Sequence, residues 1–202
     1  MVKYLATGVP AAAGVAGLSV YLSLPSEDTV ANIVKSSVSG KDYLKVLESK
    51  ESEYWVKYKD LYSRFKLDKV TSDQLPNWCE ETLKSKASPK NSEEIDFAKK
   101  WCVVDVRNIK EAAKGTGVVI ISELEEQTTS WQDAWTHYNT HKTSKNLEIT
   151  DSTFTGASGS EKVALGPALK TWCTSKESKF MYEFGGEEKV YEKYLAWCVK
   201  AS

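Results

Sequence analysis

The sequence predicts an all-α protein: an N-terminal transmembrane helix followed by two tandem, internally duplicated helical-bundle units. Three observations predict it. No charged residue falls between Tyr4 and Leu24. Each of the four cysteines directly follows a tryptophan: Trp78-Cys79, Trp101-Cys102, Trp172-Cys173 and Trp197-Cys198. Apolar residues recur at alternating three and four spacing in both halves of the chain.

The N-terminal element comes first. The 21 residues from Tyr4 to Leu24 would span roughly 30 Å as a helix, the thickness of a bilayer core. Lys3 precedes the run, and Glu27 and Asp28 follow it. The positive-inside tendency then keeps the N-terminus in the cytoplasm and places the rest of the chain outside. A transmembrane helix or signal anchor is therefore expected over residues 1–25. A cleavable signal peptide is the alternative, with Leu5–Ala13 as its apolar region and Gly14-Val15-Ala16 as the small-residue site.

The remainder can be laid on itself as two units, residues 26–104 and 105–202. Val30-Ala31-Asn32-Ile33 matches Val106-Arg107-Asn108-Ile109 at an offset of 76. Asp42-Tyr43-Leu44 matches Ser122-Glu123-Leu124, and Trp55-Val56-Lys57-Tyr58 matches Trp135-Thr136-His137-Tyr138, both at 80. Leu75 to Cys79 matches Leu169 to Cys173 at 94, and the two Trp-Cys-Val runs match at 96. Matches in this order signal an internal repeat with insertions in the second unit. Asp151–Ser160 has loop composition at the largest of them.

Each unit reads as helical. Leu44, Leu47, Tyr54, Tyr58, Leu61 and Phe65 form one stripe on a long helix, interrupted at Glu51. Leu124, Thr128, Trp131, Trp135 and Tyr138 repeat it, with Ser122 and Glu125 as a capping box at the start. Asn108 with Glu111 starts a short helix that ends at Gly115. Leu75, Trp78, Cys79 and Leu83 share a helix face, as do Ile95, Ala98 and Cys102, with Asn91 and Glu94 capping the latter helix. Pro167 fits the first turn of a Leu169–Cys173 helix, and acidic first residues suit a Glu187–Val199 helix. Val118–Ile121 is the one candidate for extended structure, matched in the first unit to Val38–Lys41.

Composition excludes some function classes. The net charge is −1 with both signs mixed, so no basic face for nucleic acid is expected. Of 27 basic residues only Arg64 and Arg107 are arginines, which leaves little material for bidentate phosphate recognition.

Cys79 and Cys102 stand 23 apart, and Cys173 and Cys198 stand 25 apart. Similar spacing favours a disulfide within each unit, although four cysteines allow three pairings. Outside the membrane, oxidation is permitted. The competing readings are reduced, buried cysteines packing beside the Trp rings, a zinc site built from all four, and a nucleophile. Short zinc-knuckle spacing is missing, and every cysteine has a twin.

Asp133, His137 and His141 lie four apart on one predicted helical face. A metalloprotease helix needs Glu directly after its first His, and Tyr138 stands there, so a solvated face is expected. Gly156–Ser160 lacks the Gly-Lys-Ser/Thr ending of a phosphate loop. The pairs Glu80-Glu81, Glu93-Glu94, Glu125-Glu126 and Glu187-Glu188 mostly fall near predicted helix starts, where the dipole accounts for them. No catalytic residue, metal site, cofactor or small-molecule substrate is assigned.

The Gly/Ala-rich apolar N-terminus, the Trp55-x-x-Tyr58 helix and the run Lys99-Lys100-Trp101-Cys102 together resemble a known group. They are similar to the large paralogous families of short uncharacterised membrane-anchored proteins of haemotropic mycoplasmas. The resemblance covers nearly the whole length, and the high Lys-to-Arg ratio suits it. Trp55-x-x-Tyr58 departs from that family's Trp-x-x-x-Tyr spacing by one residue. The resemblance implies membrane association, possible surface display and variation between paralogues as immune evasion. It carries no catalytic residue and no mechanism. The expected function is thus a membrane-anchored, surface-exposed antigenic or host-interaction protein with an unknown protein partner. An exported or anchored hydrolase and a cytoplasm-facing structural protein are the alternatives.

Overall fold

The computed structural model describes residues 28–151, 154 and 161–200, except the side chains of Lys162 and Ala164. The expected N-terminal helix over 1–25 lies outside the described residues, as does most of the Asp151–Ser160 loop. Among the described residues the chain is mostly helical, with eight α-helices and two short strands. No helix among them is long and apolar enough to cross a membrane.

The described residues fall into two compact units. One comprises 28–106 together with 182–184; the other comprises 107–181 and 185–200.

In the first unit, α1 (Val30–Ser37) begins where the Thr29 hydroxyl accepts the Asn32 N–H. Its buried face, Val30, Ile33 and Val34, packs on α3 (Leu75–Lys84) and α4 (Ser92–Trp101). Those helices contribute Leu75, Cys79 and Leu83, and Ile95, Ala98 and Trp101. These are the faces that the three/four spacing predicts. Strand β1 (Leu44–Val46) pairs antiparallel with β2 (Val103–Asp105), with Leu44 opposite Asp105 and Val46 opposite Val103. Helix α2 is short, Trp55–Ser63. The single long helix expected from Leu44 to Phe65 is therefore a strand, a turn and a helix. Leu44 and Leu47 hold helical spacing by coincidence: Leu47 donates its N–H to the Cys102 carbonyl (2.8 Å), a bond a helical residue could not make. Asn91 does not cap α4. Its side chain accepts the Ser88 N–H (2.8 Å) and closes a 3-10 turn at Pro89–Asn91.

The second unit holds α5 (Ile109–Lys114), α6 (Thr128–His141), α7 (Lys162–Lys176) and α8 (Val190–Trp197). The capping box of Asn108 and Glu111 forms at both ends, at 2.8 and 3.0 Å, and α5 ends at Gly115. Ser122 starts no helix. It lies in a 3-10 turn, Ile121–Glu123, and α6 begins six residues later, at Thr128. Pro167 lies inside α7 rather than in its first turn. Beside it, a Cβ on Gly166 would come within 3.2–3.3 Å of the α6 backbone at Trp131 and Gln132, so glycine is what lets α7 approach there.

The same backbone bonds recur in the two units. Val30 N–H to Ser85 carbonyl corresponds to Ile109 N–H to Lys179 carbonyl. Ala87 N–H to Asp28 carbonyl corresponds to Met181 N–H to Arg107 carbonyl. Leu47 N–H to Cys102 carbonyl corresponds to Ile121 N–H to Cys198 carbonyl. These bonds set the repeat register at 79 around α1 and α5 and at 74 around the extended segments. The sequence matches at 76 and at Asp42–Leu44 are corrected accordingly. The counterpart of Val118–Ile121 is Leu44–Leu47, not Val38–Lys41, and Ile120 bridges Val199 as Val46 pairs with Val103.

Aromatic side chains dominate both cores. Trp101, Trp135, Trp172 and Trp197 are fully buried. At the usual area coefficient each contributes about 4–6 kcal/mol of transfer free energy as an upper bound. The segment Tyr182-Glu183-Phe184 belongs to the first unit. Tyr182 meets Tyr54 edge-on at 5.4 Å, Glu183 pairs with Lys57 at 3.2 Å, and Arg64 lies 4.5 Å over the Phe184 ring.

Candidate functional site

All four cysteines are oxidised within their units: Cys79 with Cys102 and Cys173 with Cys198, with Cα separations of 5.6 and 5.7 Å. Each bridge joins the unit's last two helices and is fully buried. A bonded sulfur is neither a thiolate nucleophile nor a zinc ligand, so the structure brings the four cysteines together as two staples.

The two units diverge around the tryptophan before the first cysteine of each pair. In the first unit Trp78 meets Phe97 edge-on at 4.9 Å. In the second, Lys193 occupies the position of Phe97 and Glu187 that of Asn91, at the offset of 96. Glu187 and Lys193 are buried and paired at 2.6 Å. Glu187 also accepts the Trp172 indole N–H at 3.2 Å and the Thr150 N–H at 3.1 Å. Lys176 pairs with Asp151, and its ammonium lies 5.7 Å over the Trp172 ring. Glu187 is thus no dipole-compensating helix residue, as its sequence position suggests; α8 starts three residues beyond it. The network ties Thr150 and Asp151, which follow α6, to α7 and α8.

A second polar cluster surrounds Glu177. It accepts from Ser122 Oγ (2.5 Å), Tyr194 OH (3.3 Å) and Lys110 Nζ (3.0 Å). Lys110 also reaches Glu123 at 3.4 Å, and Lys114 reaches it at 2.7 Å. Burial opposes the Lys110 charge, but its bonds to Glu177 and Glu123 outweigh that and raise its pKa. Burial, and then the Glu177 charge, raises that of Tyr194. A nucleophilic serine needs a partner that can take its proton and release it to a leaving group. Lys110 is held charged, and Glu177 is already paired with an ammonium, so this cluster orders the fold and does not activate Ser122.

The His137 and His141 rings lie 4.6 Å apart, tilted by 49°. The Lys145 ammonium stands 3.4 Å from His137 Nε2, and the Trp197 ring lies 5.5 Å from the His137 ring. An ammonium at Nε2 is the wrong neighbour for a metal cation. Among the described residues no group of three His, Cys, Asp or Glu side chains could hold one. Asp133 is exposed on the same helix.

Between α6 and α7 lies a groove of about 240 Å³, floored by Trp131 and edged by Val163, Pro167 and Lys170. Glu93 and Glu94 stand in the first turn of α4, as expected. Glu80 is instead mid-helix, where Lys84 at 2.6 Å and the Lys50 N–H at 2.9 Å hold its carboxyl below the ordinary range.

The twin tryptophans of α2 and α6 give a paired prediction. The Trp55 indole N–H donates to the Ser49 carbonyl at 3.0 Å. The equivalent buried donor, Trp135 Nε1, has no partner among the described residues. Trp55→Phe is expected to cost about 1 kcal/mol more stability than Trp135→Phe, because only the first removes a bond. Urea denaturation of the two variants checks this; an equal or larger loss for Trp135→Phe would mean that its indole holds a buried water.

No family model, no curated protein and no solved structure matches this chain.

Proposed function

We propose that the chain is an exported, membrane-tethered display protein whose two tandem helical units arose by duplication and serve as an interaction surface rather than as an enzyme. The observation that carries this reading is the pair of disulfides at matching positions, one per unit. Disulfides of this kind persist in oxidising, extracellular surroundings and are scarce where thiols are kept reduced. The uncharged run from Tyr4 to Leu24 supplies the tether in this reading. Stapled units with small, aromatic cores keep their shape while exposed residues change. That property suits a surface protein whose outward residues vary between paralogues. The antigenic role rests on the resemblance alone.

The test is made on the protein as cells produce it. Free thiols are counted on unreduced, denatured chain, and intact cells are labelled with a membrane-impermeant amine reagent. Zero thiols together with labelled lysines support display at the surface. Four free thiols with labelling only after lysis would reject it and favour a cytoplasm-facing structural protein.

A further inference from the structure

The C-terminal end of α6 gathers basic nitrogens with no counter-ion among the described residues. His137 and His141 lie one turn apart, with their rings 4.6 Å from each other. Lys145, folded back from the following turn, brings its ammonium to 3.4 Å from His137 Nε2. Beneath them lies Trp197 of α8, whose ring is 5.5 Å from His137 and 5.2 Å from the Lys145 ammonium. Its indole N–H pins the turn by donating to the Leu147 carbonyl at 2.9 Å. Carbonyls at a helix end normally attract a cation. Here those of Tyr138, His141 and Lys142 are already bonded to the N–H groups of Lys142, Lys145 and Leu147.

The other charges near this corner are committed elsewhere. Lys142 lies over the Tyr138 ring and pairs with Glu148 at 3.8 Å. Of the helices packed on α6, α8 carries Lys193, buried against Glu187, and α7 carries Lys176, paired with Asp151. Glu192 of α8 and Lys170 of α7 are the remaining charged residues there with described side chains, and Asp133 is exposed on α6 itself. The charges that act on His137 are those of Lys145 and His141.

We propose that His137, His141 and Lys145 form a proton-gated site for a tetrahedral oxyanion, a sulfate or phosphate group. At neutral pH His137, held below its ordinary range, is uncharged and accepts from Lys145. In acid the protonated His137 would join the Lys145 ammonium at one corner, and like charges at that range repel. An oxyanion accepts hydrogen bonds from all three nitrogens and removes the repulsion. Burial, and then the charges of Lys145 and His141, lowers the His137 pKa below its ordinary 6.5. The sign follows. The folded chain binds its proton later than the unfolded chain, so His137 lowers stability as pH falls below 6.5 and on through the folded value. A bound oxyanion reverses that loss.

The test follows the His137 and His141 ring protons by NMR across pH 4.5 to 8, in chloride, sulfate and phosphate at equal ionic strength. Sulfate or phosphate is expected to raise the His137 titration by roughly one unit, and by reciprocity the anion binds about tenfold more tightly to the protonated site. A response to sulfate alone indicates a sulfate-ester ligand, and one to phosphate alone a phosphate ester; either supports the site. Lys145→Gln is expected to raise the His137 titration in chloride and to remove most of the difference between anions. Identical titrations in the three salts overturn the proposal, as does a Lys145→Gln chain that responds to sulfate like the wild type.

Discussion

Replacing Glu187 with glutamine is expected to cost about 3–5 kcal/mol of stability, read from urea denaturation. Glutamine keeps the size of the side chain and can still accept one bond. It cannot balance the Lys193 ammonium, which is buried 2.6 Å from the carboxylate. An unpaired buried charge is the expensive outcome, far more so than the loss of an average hydrogen bond. The repeat supplies its own control. The first unit fills these positions with Asn91 and Phe97, and its Trp78 meets that phenylalanine edge-on. The double substitution Glu187→Asn with Lys193→Phe removes both charges and rebuilds the twin's aromatic contact. It should recover most of the loss, because a buried ion pair seldom outperforms a well-packed apolar pair. What it will not recover are the bonds from the Trp172 indole at 3.2 Å and from Thr150 N–H at 3.1 Å, so the segment after α6 should exchange its amide protons faster. A Glu187→Gln loss under 1 kcal/mol would show that Lys193 reaches water despite its burial in the fold.

These residues also mark where the sequence stops being legible. Trp-Cys pairs and three/four stripes announce themselves locally, so the cysteine-bearing helices and their buried faces are legible, whereas spacing favours the pairing without fixing it. The capping box of Asn108 and Glu111 is equally local, and it forms. The strand β1 was hidden because Leu44 and Leu47 satisfy helical spacing, and only their distant partners, Val103 and the Cys102 carbonyl, decide otherwise. The repeat register is obscured in two places for a related reason. Letter matches such as Val-x-Asn-Ile favour an offset of 76, whereas equivalent hydrogen bonds put Thr29 on Asn108, the N-caps of α1 and α5. The charged network was invisible. Glu187 beside Glu188 near a helix start looks like dipole compensation, and Lys193 looks like a solvated lysine until folding brings the two together. The His137 cluster was half legible: the four-residue spacing shows the pair, but Lys145 arrives through a turn with Asn146 at a positive φ of 52°.

Removing either disulfide, by alanine at both of its cysteines, is expected to cost about 3.5 kcal/mol, and nearly the same for each. The chain-entropy argument depends on loop length, and the separations are 23 and 25 residues. Two compact units need not unfold as one, so a single denaturation curve is a poor reading of either bridge. Hydrogen exchange serves better, because the amides of α3 and α4 report one staple and those of α7 and α8 the other. Losing Cys79–Cys102 should speed exchange in the first pair, and losing Cys173–Cys198 in the second. Unequal losses would carry information beyond loop length. Both bridges sit among apolar and aromatic side chains, but in the second unit Trp172, next to Cys173 in the chain, bonds the buried Glu187. A buried charge pair holds its geometry only while the surrounding helices are fixed, so the second unit has more to lose once α7 and α8 are released. An excess loss there would show that the staple maintains the charged network as well as restricting the unfolded chain. Equal losses would confine its contribution to chain entropy and leave the network self-supporting.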